Sequence, residues 1–366
     1  MNVSEFDFEL PDDLIAQDPP ADRGGSRLLV MRGDERTHDR FANLGDYLRP
    51  GDLLVVNDTR VFPARLLGRR VPSGGAVECL LVRDLGDSTW EALMHPGQKL
   101  KPGAAVVFER DGERIHGEVL GDHVNGRRTI RLTADRGDLH AAIDRIGHIP
   151  LPPYIAREDG PADQDRYQTV YARDRGSIAA PTAGLHFTAG LLDRLAAAGV
   201  ERTSITLHVG YGTFKPVRVD RVEDHAVDPE TFSVPPAAAV ALTAARREGR
   251  RIIAVGTTTT RALESLTVEA DGTVLPASGD ATLFIHPGHR FGIVNGLITN
   301  FHLPASSLLM LVAALAGRER VMAAYREAVA ERYRFYSYGD AMLILQRERD
   351  AMPLTRSSTP LPAPPG

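Results

Sequence analysis

From residue 203 to residue 332 the chain alternates short apolar runs with helical patterns, and that alternation leaves few folds open. Residues 203–208 read as a strand, 237–248 as a helix stopped by Gly249, and 251–255 as a second, apolar strand. A helix beginning near Arg261, strands at 282–285 (TLFI) and 297–299 (LIT), the helix LLMLVAALAG and a further helix over 318–332 complete the pattern. Strands separated by helices predict an α/β fold with a mainly parallel sheet, barrel-like or open, and helices packed outside it. In such folds ligands sit where the strands end, so the strand ends carry the functional question.

The first 60 residues fit the same scheme. Residues 6–10 alternate like a short strand, PDDLIA offers one helical turn, and 28–32 read as a strand. GDLLVV (51–56) is long enough for one buried strand and stops in Asn57, Asp58, Thr59 and Arg60. Four polar groups at that point suit a ligand crevice; an Asx-type turn capped by Asn57 or Asp58 is the other reading.

Between 61 and 146 the texture changes to short β-rich runs such as VECLLVR, AAVVF and RTIRL. Turn signals at Gly74-Gly75, Gly86-Asp87, Asp111-Gly112 and Asn125-Gly126 separate them, which predicts a small antiparallel β-barrel inserted into the α/β domain. The expected division is 1–60 with 147–346 as a discontinuous α/β catalytic domain, 61–146 as the inserted barrel, and 347–366 as a disordered, Pro-rich tail. Arg65, Arg69, Arg70, Arg127, Arg128 and Arg131 can make one face of the insert basic. With a net charge of only −5, a nucleic-acid partner has to be met by such a local patch.

A single cysteine, Cys79, excludes an internal disulfide framework and a multi-thiolate metal site. No apolar run approaches the ~20 residues that span a bilayer, and MNVSEFDFEL lacks the pattern of a signal peptide. The expected compartment is the cytoplasm, with no membrane partner.

The polar residues gather in a few loops. SIAAPTAGLHFT (177–188) sets Thr182, Gly184, His186 and Phe187 ahead of a helix closed by Gly199. HVGYGTFKP, GTTTTR, TNFHLP and FYSYGD stand at the other strand ends. GTTTT before a helix combines hydroxyls with backbone N–H groups, a seat for a carboxylate or phosphate, but it lacks the Gly-Lys-Ser/Thr ending of a P-loop. No pair among His186, His208, His225 and His302 has the spacing of HExxH, and HPGH (286–289) reads as a turn, so no metal is expected. APTAGLHF, TLHVGYGTF, GTTTTR and TNFHLP are expected to face one pocket.

The series NDTRV, LPPYI, YQTVYA, APTAGLHF, TLHVGYGTF, VGTTTTRALES, LITNFHLPASSLLMLVAALAG and YRFYSYGDAMLI closely resembles the S-adenosylmethionine:tRNA ribosyltransferase-isomerases of queuosine biosynthesis. The matches run in order from Phe6 to about Leu345. The resemblance implies an enzyme that moves the ribosyl part of S-adenosylmethionine to the aminomethyl group of 7-aminomethyl-7-deazaguanine at the tRNA wobble position. It would release adenine and methionine and leave epoxyqueuosine. S-adenosylmethionine is then a co-substrate, no cofactor is bound permanently, and the partner is the anticodon loop of tRNA; a monomer is expected. Asn295 stands where an acidic residue is expected and Ala305 where a Lys or Glu is common, so Asn295 removes a charge expected near the site.

That chemistry needs a base for the C5′ hydrogen beside the sulfonium, an acid for the departing adenine, an anchor for the methionine carboxylate and room for a splayed base. His186 and His302 are the first candidates for acid and base, with His208 next. Thr257, Thr258 and Arg261 are candidates for the carboxylate or a tRNA phosphate, and Phe187, Phe214, Phe301 and Tyr338 for stacking. Asn57, Asp58, Thr59, Arg60, Thr182, Gly184, Gly210, Gly212, Thr213, Thr299, Asn300 and Asp340 complete the candidate substrate-binding set. A small phosphosugar hydrolase or isomerase, and a tRNA-binding protein without catalysis, are the rival readings.

Overall fold

The computed structural model describes residues 1–123, 126–210, 212 and 217–346. Its chain first forms β1 (Arg27–Arg32) and β2 (Glu35–Arg40), an antiparallel hairpin turned at Gly33, whose φ of +63 suits glycine. β3 (Leu53–Asn57) is buried along its whole length, and the three-residue β4 (Thr59–Val61) follows.

Six strands then close on themselves: β5 (Arg65–Val71), β6 (Ala76–Gly86), β7 (Thr89–His95), β8 (Ala105–Arg110), β9 (Glu113–Asp122) and β10 (Arg127–Ala134). They form a closed antiparallel barrel in the order β10-β7-β6-β5-β8-β9. Alternation builds it, since Trp90, Ala92 and Met94 of β7 point inward while their neighbours face out. α1 (Leu139–Ile146), capped by the Asp138 carboxylate on the Ala141 N–H, adds Ala142, Ile143 and Ile146 to the barrel core.

The remaining chain supplies α2 (Pro161–Arg166), β11 (Asp174–Ser177), α3 (Ala189–Ala197), β12 (Glu201–Leu207), β13 (Glu230–Val234) and α4 (Pro236–Arg247). After these come β14 (Ile252–Val255), α5 (Thr257–Glu264), β15 (Ala277–Ala281), β16 (Gly296–Asn300), α6 (Ser307–Ala316), α7 (Arg318–Ala330) and β17 (Ala341–Leu345). Among the described residues β11 pairs with β4 alone, making a small parallel ribbon beside the large sheet.

The large sheet is open, in the order β15-β13-β12-β3-β14-β16-β17-β1-β2. Its central run β12-β3-β14-β16 is parallel, as is β17-β1, while the outer pairs and β16-β17 are antiparallel. The α/β fold with a small barrel is therefore present, with a mixed sheet. The period of two sends Leu53 and Val55 of β3 to one core with Leu242, Leu309 and Val321. Leu54 and Val56 go to the other, with Phe41, Leu191 and Leu195. Each such fully buried side chain contributes ~1.5–3 kcal/mol.

Four local expectations change. Residues 6–10 are not a strand; Phe6 closes the 3-10 turn Val3–Phe6 and fills the core. The strand expected at 282–285 is instead β15, ASGDA, a polar sheet edge held to β13 by its backbone ladder. The helix expected near Arg261 begins at Thr257, directly after Gly256. Asn295 lies at the start of β16, its Oδ1 accepting the Ile252 N–H at 2.6 Å, so it is at the opposite end of that strand from Thr299 and His302. The 347–366 tail, Asn125, Thr213 and Phe214 lie outside the described residues.

Candidate active site

Gly256, with φ +94, lets β14 turn straight into α5, which puts Thr257 and Thr258 at the helix entrance. The next two hydroxyls are used internally: Thr259 Oγ1 donates to the Val255 carbonyl at 2.6 Å and Thr260 Oγ1 to that of Gly256 at 3.1 Å. Beside this entrance β16 ends in Thr299, Asn300, Phe301 and His302, and Ser306 then caps α6. These groups, with Ala179–Ala183, Val209 and Val217, line a cavity of about 450 Å³. Each of the four loops expected to share a pocket supplies residues to it.

Two further stretches complete the wall. Tyr154, from IPLPPY, stacks on Tyr336, from FYSYGD, with ring centroids 3.9 Å apart at 30°. The Tyr154 hydroxyl bonds Ser337 Oγ, and Tyr336 holds φ +72, rare for a residue with a side chain. Neither tyrosine was a sequence candidate; Tyr338, two residues on, was. Among the described residues, those lining the cavity include no Asp, Glu, Lys or Arg.

His302 is the imidazole on the cavity wall. Its Nε2 pairs with Thr299 Oγ1 at 2.7 Å, and burial pushes its pKa down to about 3. It is neutral at pH 7. Asn300 is buried beside it; its Nδ2 donates to His186 Nε2 at 3.0 Å and to the Tyr336 carbonyl at 3.1 Å. Its Oδ1 is buried with no hydrogen-bond partner among the described residues, and so is the Tyr336 hydroxyl.

His186 is one layer back from this wall. It packs on Phe41 at 5.0 Å, its Nδ1 bonds Ser26 Oγ at 3.0 Å, and burial lowers its pKa to about 4. His208 is likewise not on the wall, its Nδ1 2.8 Å from Thr59 Oγ1. Of the sequence candidates, Thr182, Thr257, Thr258, Thr299, Asn300, Phe301 and His302 border the cavity.

The other described candidates do not line this cavity; the fold places them elsewhere. Asn57 ties the end of β3 to β12 through both polar atoms, giving to the Leu207 carbonyl and accepting from its N–H; the Asx-turn reading holds there. Asp58 accepts from Thr206 Oγ1 at 2.7 Å and pairs with Arg173 at 3.0 Å, and burial raises its pKa. Arg60 is exposed. Phe187 packs in the core against Phe41 and Tyr171, and a Cβ on Gly184 would lie 2.2 Å from the Tyr171 hydroxyl oxygen. The Gly210 N–H donates to Glu230, Gly212 lies against Asp228, the Tyr338 hydroxyl donates to Asp163, and Asp340 accepts from the Arg27 and Arg334 N–H groups. Arg261 bonds Glu230 at 2.6 Å and the Leu283 and Ala281 carbonyls.

The barrel arginines are largely paired as well. Arg65 meets Glu78 at 2.7 Å, Arg69 meets Glu109 at 3.5 Å and Arg131 meets Glu118 at 3.7 Å. Arg127 pairs with Glu91 and Asp228, and Arg128 is buried on the Gly97 and Leu100 carbonyls.

The family model described as queuosine biosynthesis protein matches residues 3–344, which include every described residue on the cavity wall. The chain belongs to the queuosine biosynthesis protein family. Within that family it is 53% identical over 347 residues to the S-adenosylmethionine:tRNA ribosyltransferase-isomerase of Symbiobacterium thermophilum, covering 94% of this chain and all of that one. To the protein of the same name from Pelotomaculum thermopropionicum it is 51% identical over 348 residues, with the same coverage. The crystal structure of S-adenosylmethionine tRNA ribosyltransferase from Thermotoga maritima superimposes with a TM-score of 0.51 at 37% identity, over 93% of this chain and 100% of that one.

Proposed function

We propose that this member of the family is an S-adenosylmethionine:tRNA ribosyltransferase-isomerase. It takes the ribosyl group of S-adenosylmethionine to 7-aminomethyl-7-deazaguanine at the wobble position of tRNA, releasing adenine and methionine. The observation that carries the reading is the unbroken match to relatives of that name, about half identical over their whole length.

The cavity suits the work. The α5 entrance at Thr257 and Thr258 receives the methionine carboxylate, since a helix N-terminus favours an anion. The Tyr154–Tyr336 pair offers a flat wall for a nucleobase. His302, with Nε2 held by Thr299, keeps Nδ1 for the C5′ proton. A buried imidazole is a weak base toward water, yet here the proton leaves a carbon next to a sulfonium. The sulfonium becomes a neutral ylide as the imidazole becomes imidazolium, so the net charge in the low-dielectric cavity stays constant. Residues 61–146, as an inserted domain, meet the tRNA, and the enzyme acts as a cytoplasmic monomer with no permanently bound cofactor.

Incubation with ribose-labelled S-adenosylmethionine and tRNA carrying the aminomethyl precursor tests this. Label in the tRNA with an equal amount of free adenine is expected. Adenine release without labelled tRNA points to a hydrolase; tRNA binding with intact S-adenosylmethionine points to a non-catalytic binder.

A further inference from the structure

A second hollow lies beside the cavity, and Ser337 lines both. It is small, about 10 Å³, and Arg23 and Arg166 line it together with His186 and Tyr338. The two arginines tie residues 20–23 to the end of α2. Arg23 donates to the Gln168 carbonyl at 2.6 Å and the Asp165 carbonyl at 2.7 Å, and Arg166 donates back to the carbonyls of Ala21 at 3.2 Å and Pro20 at 2.5 Å. A carbonyl is a dipole and cancels no charge. Among the described residues neither guanidinium has an ion pair with a carboxylate, whereas Arg157 pairs with both Asp18 and Asp163.

Two cations thus line one hollow without a paired anion. Burial, and then the charge of Arg166, push the Arg23 pKa down; the exposed Asp165 carboxylate, Tyr338 and Tyr171 act the other way from longer range. Both arginines are reachable. Their side chains are partly exposed, and the bonds made by Arg23 Nη2 and Arg166 Nη1 lie at the surface. Each guanidinium carries five N–H groups and gives two of them to carbonyls, so donors remain on both for an anion that arrives from outside.

The described wall of the large cavity has no charged side chain, so a nucleotide whose base enters it must leave its phosphate at the rim. Another hollow shares Leu308 with the cavity, but its arginine, Arg261, is matched by Glu230. Guanidinium forks grip phosphate oxygens in pairs of hydrogen bonds. A space of about 10 Å³ admits one such oxygen and is too small for the amino-acid end of S-adenosylmethionine.

We propose that Arg23 and Arg166 together hold a backbone phosphate flanking the wobble nucleotide of the tRNA while its base enters the cavity past Ser337. The proposal rests on the cavity being the place where that nucleotide reacts. It puts the grip on the RNA strand in the α/β domain at the rim of the site, apart from any contact made by the barrel.

The test is binding of an anticodon stem-loop RNA carrying the aminomethyl base, without S-adenosylmethionine, in which each phosphate flanking the wobble nucleotide is replaced in turn by a neutral methylphosphonate. The wild-type chain is expected to lose about tenfold in affinity at one of these positions, the size of a lost charge-assisted contact. Arg23→Gln with Arg166→Gln should bind the unmodified RNA about tenfold more weakly, lose nothing further from that methylphosphonate, and show a salt slope smaller by about 0.7, the share of one phosphate on a single strand. Its affinity for S-adenosylmethionine alone, read by equilibrium dialysis, should be that of wild type. Should the double variant fail to fold, modification of the wild-type chain by phenylglyoxal, read at each arginine by peptide mass, decides the matter: the stem-loop must protect Arg23 and Arg166. A methylphosphonate penalty that persists in the double variant, no penalty in the wild type, or protection by S-adenosylmethionine in place of the RNA overturns the proposal. Failure of the functional reading is a separate result, since it shows as no label transfer by the wild-type enzyme.

Discussion

Arg261 Nη1 donates to Glu230 Oε2 across 2.6 Å, and both side chains are shut off from solvent. The pair joins α5 to β13, and the guanidinium also binds the Ala281 and Leu283 carbonyls near the sheet edge. Arg261→Met takes the guanidinium away from the buried Glu230 carboxylate and should lower unfolding free energy by about 3–5 kcal/mol in urea titrations. Adding Glu230→Gln should recover part of that loss. A single mutant that keeps wild-type stability but loses substrate affinity would return Arg261 to the substrate.

Stability should fall in mild acid. Burial lowers the pKa of His186 to about 4 and of His302 to about 3, from 6.5. Each ring is neutral in the fold and takes up a proton more readily once unfolded. Their contribution is therefore complete above about pH 6.5 and is lost as pH falls from there toward 4 and 3. At pH 5 the loss is about 2 kcal/mol per ring. Thermal melts of wild type between pH 7 and 5 should show the fall, and His302→Gln should flatten it; equal slopes would mean that the ring titrates normally.

How much of this was legible depends on where each residue's partners lie. β3 was readable because five consecutive buried positions leave only one reading, whereas β2 (ERTHDR) and β15 (ASGDA) are edge strands whose pairing rests on backbone alone. The loops that build the cavity were legible as strand ends. Which of their side chains face inward was not. His186 and His302 look alike in sequence, and Arg261 looks free until Glu230, 31 residues away, is placed beside it. Tyr336 was missed because its positive φ, set by the FYSYGD turn, aims it at Tyr154 from a distant segment, and no local pattern encodes that meeting.

The stacked pair gives a third prediction. Tyr154→Leu should raise KM for S-adenosylmethionine about tenfold, within the ~1–3 kcal/mol of one base–aromatic stack. Tyr154→Phe, which keeps the ring and removes the hydroxyl that bonds Ser337, should stay within about threefold. Steady-state kinetics at saturating tRNA decide it; equal effects of the two substitutions would assign the role to the hydroxyl.

The barrel prediction has to respect burial. Arg127→Glu with Arg128→Glu should unfold the barrel, because Arg128 is 9% exposed and holds three carbonyls. Arg69 is half exposed, so Arg69→Glu with Arg70→Glu is the usable pair. It should raise KM for tRNA and reduce the salt dependence of binding. Unchanged tRNA affinity across a salt titration would remove this face from the tRNA path.

Single-turnover transfer of ribose label by His302→Gln, against wild type, bears most directly on the claim that the chemistry occurs in this cavity. With tRNA affinity preserved, transfer should slow by roughly 10²-fold or more, the range for losing a general base. Transfer at the wild-type rate by a folded His302→Gln enzyme would contradict the account and move the proton acceptor elsewhere.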